Sequence, residues 1–320
     1  MPSARALLGV IVSRGAARCG AVRARWWRVW ESMTTTNTAS ERQDETGLAT
    51  AAASPRPTAR IAVALAYGFI CHVIFALASL AMAYGLFTGM TQTFGAAPQP
   101  FAALANGLLL IQFPLAHSFL LSARGRAALA RLAPLGFGKT LATTTYATIA
   151  SLQLLALFTL WTPTGVIVWR AEGAAFAAMS VAYAASWVLL AKASSDAGLQ
   201  LQSGALGWVA LLRNREPAFP DMPEKGLFMI VRQPIYVSFA LVLWTTPTWT
   251  VDQLAIAGLY TAYCLFAPLL KERRFLRLYG ERFARYRARV PYWLPFGNHR
   301  PSAGGARARS RPPHETTGSA

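Results

Sequence analysis

The residues best suited to hold a polar molecule lie in one block near the end of the chain. It reads Gly226-Leu227-Phe228, then Arg232-Gln233-Pro234-Ile235-Tyr236. After an uncharged stretch broken at Pro247 come Lys271-Glu272-Arg273, Gly280, Tyr286, Val290-Pro291 and Leu294-Pro295. A guanidinium can grip a carboxylate through two parallel hydrogen bonds. Gln233 can donate and accept without charge, Tyr236 offers a ring and a hydroxyl, and Glu272 can accept from a cation or a hydroxyl. Pro234 suits the first turn of a helix, where a missing N–H costs nothing. The chain has no phosphate-cradling glycine loop, no metal-spaced histidine pair and no nucleophile elbow, so no metal site is expected. Cys19, Cys71 and Cys264 are isolated and read as small packing residues. His72 and His117 stand alone in apolar runs, where a polar residue ordinarily serves as a hydrogen-bond partner between helices. Gln112 and Ser118 near His117 also make it a candidate for lining a functional cavity.

Membrane helices must position these groups. Hydrophobic residues make up 54% of the 320-residue chain and charged residues 14%, too little polar surface for a water-soluble fold of this size. Uncharged runs cover Ile61 to Phe87, Phe101 to Ala123, Thr140 to Trp169, Gly173 to Ala191, Gln233 to Val251 and Gln253 to Leu270. They predict about six transmembrane segments, the last three close to the shortest length that crosses a hydrocarbon core of about 30 Å. The net charge of +18 is concentrated in tails and short loops. Arg124, Arg126, Arg131 and Lys139 follow the second run, and Lys192, Arg213, Arg215, Lys225 and Arg232 follow the fourth, whereas Thr88 to Pro100 carries no charge. This is the positive-inside pattern, which places both termini and both basic loops in the cytoplasm and argues against a nucleic-acid partner. A multi-pass protein of a bacterial inner membrane is the expected setting, with the lipid bilayer as its surroundings.

Two segments predict helices outside the spans. Leu199 to Leu212 is rich in leucine and suggests a helix lying at the interface. Phe275, Tyr279, Phe283, Tyr286 and Val290 recur at helical spacing among basic residues, the pattern of an amphipathic helix on anionic lipid. The fold class is therefore an all-α integral membrane protein with a C-terminal helical hairpin and a cytoplasmic basic amphipathic helix. Four regions are expected: a basic head at 1–58 without structure, in which Met33 is an alternative translation start; N-terminal transmembrane helices at 59–193; the binding block and its hairpin at 194–296; and a tail at 297–320.

In order and spacing, the block resembles the C-terminal half of the isoprenylcysteine carboxyl methyltransferase and phospholipid methyltransferase superfamily. His117-Ser118, Asp196-Ala197-Gly198-Leu199-Gln200 and Thr245-Thr246-Pro247-Thr248-Trp249-Thr250 extend the resemblance to its methanethiol S-methyltransferase and NnrU-like branch, over about Leu104 to Phe296. The resemblance implies an S-adenosylmethionine-dependent methyltransferase with its cofactor held by Phe228, Arg232, Gln233, Pro234, Tyr236, Lys271 and Glu272. It implies a small thiol or lipophilic acceptor reached through an apolar cavity, for which Phe113, His117, Phe239 and Leu243 are candidates. A non-catalytic NnrU-like protein and a phospholipid or isoprenylcysteine methyltransferase are the alternatives. Three positions depart from the superfamily pattern: Gln233 stands for a histidine, Lys271 for the first of two acidic residues, and Phe228 for a tyrosine. Glu272 is one residue beyond the usual acid, about 100° round a helix. The two arms of the hairpin are similar in length, which predicts Glu272 half-buried at the level of Arg232.

Overall fold

An uncharged run in hydrocarbon has one simple way to satisfy its backbone, the α-helix. The computed structural model describes residues 57–295. In chain order the elements are α1 (Pro57–Phe87), α2 (Phe101–Leu120), α3 (Ala123–Leu132), α4 (Gly138–Leu160), β1 (Ile167–Arg170), α5 (Gly173–Asp196), α6 (Leu199–Gln202), α7 (Ala205–Leu212), a 3-10 turn (Gly226–Met229), α8 (Pro234–Trp244), β2 (Thr248–Thr250), α9 (Val251–Tyr279) and α10 (Glu281–Arg289). Five of these, α1, α2, α4, α5 and α9, are long and apolar enough to cross a membrane. The chain is an all-helical, multi-pass membrane protein. The basic head with Met33 and Cys19, and the tail, lie outside the described residues.

The remaining apolar run, Gln233 to Val251, behaves differently from the other five. Its helix α8 has 11 residues, about 16 Å, half the hydrocarbon thickness. The polar end of the run leaves the helix and pairs as β2 with β1 in an antiparallel ladder, Trp169 opposite Trp249. Backbone that is not helical at this level must find partners in neighbouring chain, and the ladder supplies them. Thr250 Oγ1 caps α9 by accepting from Gln253 N at 3.0 Å and donates to Gly89 O at 2.6 Å. Gln253 Nε2 donates to Leu243 O at 2.9 Å, closing the hairpin between α8 and α9.

Helix α1 packs along α4, α2 and α3 pack on α4, α5 on α8, and α8 on α9. The largest core lies among them and includes Leu86, Met90, Leu157, Leu243, Ile256 and Tyr260. The expected interfacial helix at Leu199 to Leu212 is two helices broken at Gly204, and the second, α7, tucks between α1 and α4. Its Leu206, Gly207, Ala210 and Leu211 are buried, and Arg60 Nη1 closes its C-terminus by donating to Leu211 O and Leu212 O at 2.5 and 2.9 Å. The basic amphipathic stretch is also broken, at Gly280, whose φ of 52° suits a residue without Cβ. The break turns α10 so that Phe283, Tyr286 and Val290 pack on Met222 of the loop before the 3-10 turn. That apolar face therefore covers the protein's own loop.

Candidate functional site

Arg232 and Glu272 come from opposite arms of the hairpin and meet in a buried pair. Arg232 Nε donates to Glu272 Oε1 at 2.9 Å, and the side chains are 11% and 10% exposed. Gln233 Nε2 donates to the same carboxylate oxygen at 2.9 Å, while Gln233 Oε1 is buried without a partner. The expected level of Glu272 beside Arg232 follows, with Glu272 more deeply buried than half. The guanidinium has further partners: Nη1 donates to Val290 O at 2.6 Å and to Arg287 O at 3.0 Å, both at the end of α10. The backbone N–H of Arg232 donates to Pro291 O at 2.8 Å. Arg232 is thus a strut joining the start of α8 to α9 and to the exposed carbonyls of α10, a favoured place for a cation.

A cleft opens beside this strut, lined by Phe228, Arg232, Gln233, Lys271, Glu272 and, from the covering side, Met222, Pro223, Phe283 and Tyr286. Both Lys271 and Glu272 line it, despite the 100° between them, because the cleft wraps the helix. Lys271 Nζ lies over the rings of Phe228 and Phe275 at 5.9 and 5.3 Å from their centroids. Five of the seven predicted cofactor residues therefore share the cleft. Pro234 is buried at the first turn of α8. Tyr236 stands one turn deeper, within electrostatic reach of Tyr263 and Arg274.

The cleft is closed. Its free volume is about 10 Å³, near the need of one water molecule and far below a cofactor pocket of roughly 300–1,000 Å³. The covering loop is latched from outside, where Arg282 pairs with Asp221 at 2.7 Å and Glu224 at 3.1 Å. From beneath, Tyr286 donates its hydroxyl to Phe228 O at 2.7 Å. Burial holds the Tyr286 phenol above its ordinary range, and burial with the nearby Glu272 carboxylate pushes Tyr292 up to about 12, so both remain neutral donors. Asp196 fixes the floor: Oδ2 accepts from Leu227 N at 2.9 Å. A Cβ at position 226 would meet that oxygen at 2.2 Å, and Gly226 has a φ of 61°, so glycine is required there.

The four predicted cavity residues also gather. Phe113 lies 4.9 Å from His117 and 6.1 Å from Tyr260 between ring centroids, and Phe239 lies 6.3 Å from Tyr260. Leu243 is fully buried, with Phe113 and Phe239 packed against its core. They form a packed aromatic cluster. Sequence reading missed Tyr146, whose hydroxyl lies 2.6 Å from His117 Nε2, together with Tyr263 and Arg274. The available signal was a tyrosine inside an uncharged run, the same kind that drew attention to His117.

The fold and the cleft define the class: an all-helical, multi-pass membrane protein with a polar, carboxylate-bearing cleft. The particular family comes from its relatives. Methanethiol S-methyltransferase 2 of Bradyrhizobium diazoefficiens is 31% identical over 195 residues, covering 61% of this chain and 73% of the relative. Methanethiol S-methyltransferase 1 of the same organism is 27% identical over 239 residues, 73% of this chain and 82% of the relative. The methanethiol S-methyltransferase of Crocosphaera subtropica is 29% identical over 191 residues, 59% and 73%. No family model and no solved structure matches the chain. The chain belongs to the methanethiol S-methyltransferase family, in the isoprenylcysteine carboxyl methyltransferase-like branch, and is a methyltransferase.

Proposed function

We propose that the protein transfers the methyl group of S-adenosylmethionine to a small thiol such as methanethiol, at the cytoplasmic face of the membrane. The observation that carries this reading is the cleft's set of groups: an unpartnered buried amide oxygen on Gln233, the Glu272 carboxylate and the Lys271 ammonium over two aromatic rings. These suit the hydroxyls, ammonium and carboxylate of S-adenosylmethionine. When bound, that cofactor supplies a methyl group on a positively charged sulfur, ready for in-line displacement.

The residues divide the work. Gln233 Oε1 and Glu272 accept from the ammonium or the ribose. Lys271, rather than Arg232, meets the carboxylate, because the Arg232 guanidinium is taken up by Glu272 and α10. The loop at Met222 and Pro223 must lift for the cofactor to enter and then closes over it, which excludes water and aligns the reactants. The basic loops beside the cleft favour its cytoplasmic placement. The tight packing of Phe113, Phe239 and Leu243 favours an acceptor of methanethiol size over one with a lipid tail, in keeping with the names of the relatives.

The test is methyl transfer by the purified full chain in lipid nanodiscs, with labelled S-adenosylmethionine and three acceptors: methanethiol, a phospholipid and a prenylcysteine carboxylate. Dimethyl sulfide as the main product is expected. Methylation of either lipid acceptor with none of methanethiol would overturn the proposal.

A further inference from the structure

Methylating a thiol releases a proton. The thiol S–H bond breaks, the sulfur forms a new S–CH3 bond, and the sulfonium S–CH3 bond breaks with its electron pair passing to the leaving sulfide. Glu272 is engaged by Arg232 and Gln233, and Lys271 is a cation, so the cleft offers no ready acceptor for that proton. The aromatic cluster does.

The Tyr146 hydroxyl lies 2.6 Å from His117 Nε2 and 2.9 Å from Nδ1, so it can donate to the unprotonated nitrogen of either tautomer. Phe113 flanks the imidazole at 4.9 Å and Tyr263 meets it edge-on at 6.5 Å. Three helices contribute neighbours to the pair: α4 brings Tyr146, α8 brings Tyr236, and α9 brings Tyr263 and Arg274, with Ser118 of α2 beside Tyr263. Tyr236 is three residues beyond Gln233, a rise of about 4.5 Å, so α8 links this cluster to the cleft.

Resting on the reading of the chain as a thiol methyltransferase, we infer that Tyr146 and His117 form its proton relay. Tyr146 Oη accepts the thiol proton as its own proton passes to His117, leaving an imidazolium. The sulfonium loses its charge in the same step, so the number of positive charges is unchanged and proton and methyl transfer are coupled.

The experiment compares the full-length wild type with His117→Asn and Tyr146→Phe, using methanethiol and an aryl thiol that is largely ionised at neutral pH. With methanethiol at pH 7, His117→Asn is expected to lose about 10²- to 10⁴-fold in turnover, with cofactor affinity unchanged. Its rate should then climb tenfold per pH unit as thiolate forms in solution. With the aryl thiol the loss should shrink below tenfold. Tyr146→Phe keeps the ring and is expected to behave alike, and it carries the test if the asparagine variant does not fold. Equal losses with both thiols and an unchanged pH profile would show a packing role only, and undiminished turnover in both variants would also overturn the relay. A wild type that methylates neither thiol would instead overturn the underlying reading, and the relay with it.

Discussion

The two ends of the helical hairpin are both polar, yet they settle their hydrogen bonds differently. At the end away from the basic loops most of the demands close within the chain, although Gln253 Oε1 is left without a partner. Asn106 Nδ2 donates to Thr162 O at 2.7 Å while Thr162 N donates to Asn106 Oδ1 at 2.9 Å, and Asp252 Oδ2 accepts both from Thr164 N and from its hydroxyl. At the basic end one carboxylate serves two donors and Gln233 Oε1 is left over. An orphaned amide oxygen alone marks no site, since Gln153 and Gln253 each carry one. Gln233 differs in standing beside a charged carboxylate and in lining a cleft. A network whose demands are met internally fastens helices; one that leaves a demand open at a cleft can receive a ligand.

The sharpest way to break this contrast is Glu272→Ala. It leaves the Arg232 charge buried without its partner, which is expected to cost about 3–5 kcal/mol and to lower the melting temperature in detergent. A cost below about 1 kcal/mol would mean that the strut does not hold the arms together. Asn106→Ala comes next. It strips partners from the N–H and C=O of Thr162 and is expected to cost about 1–3 kcal/mol, with methyl transfer per folded molecule unchanged; a selective loss of activity would erase the distinction between the ends. The smallest effect is expected from Gln233→His. The neutral imidazole keeps a donor for Glu272 and offers its other ring nitrogen as an acceptor in place of Oε1, so calorimetry should find cofactor binding nearly equal and stability nearly unchanged. Markedly weaker binding in a folded variant would show that the amide oxygen of Gln233 makes a contact that a ring nitrogen does not reproduce.

Charge and hydropathy made the spans legible, because a helix in lipid needs only an uncharged run of sufficient length. They could not reveal that α8 stops at Trp244, since the Thr245 to Thr250 stretch is uncharged and reads as membrane until β1 is seen to pair with it. The same blindness affected Leu199 to Leu212, where apolar spacing cannot distinguish a lipid surface from the groove between α1 and α4. In the site, the meeting of Arg232 with Glu272 followed from the equal arms of the hairpin. The role of Arg232 as a strut did not, because its carbonyl partners belong to α10 and backbone acceptors leave no mark in side-chain sequence. Tyr146 was overlooked for a related reason: its partner His117 is 29 residues away on another helix.

The tie between Arg232 and Val290, 58 residues apart in sequence, also has a consequence in time. A chain is made from its N-terminus, so α1 to α8 are synthesised before α10 exists. Until the stretch around Val290 and Pro291 has emerged, the guanidinium at the start of α8 lacks its carbonyl partners and the cleft lacks its cover. The proposed methyl-transfer centre is therefore among the last parts of the protein to be assembled during biosynthesis, and a ribosome that stalls before Val290 yields inserted helices without a finished cleft.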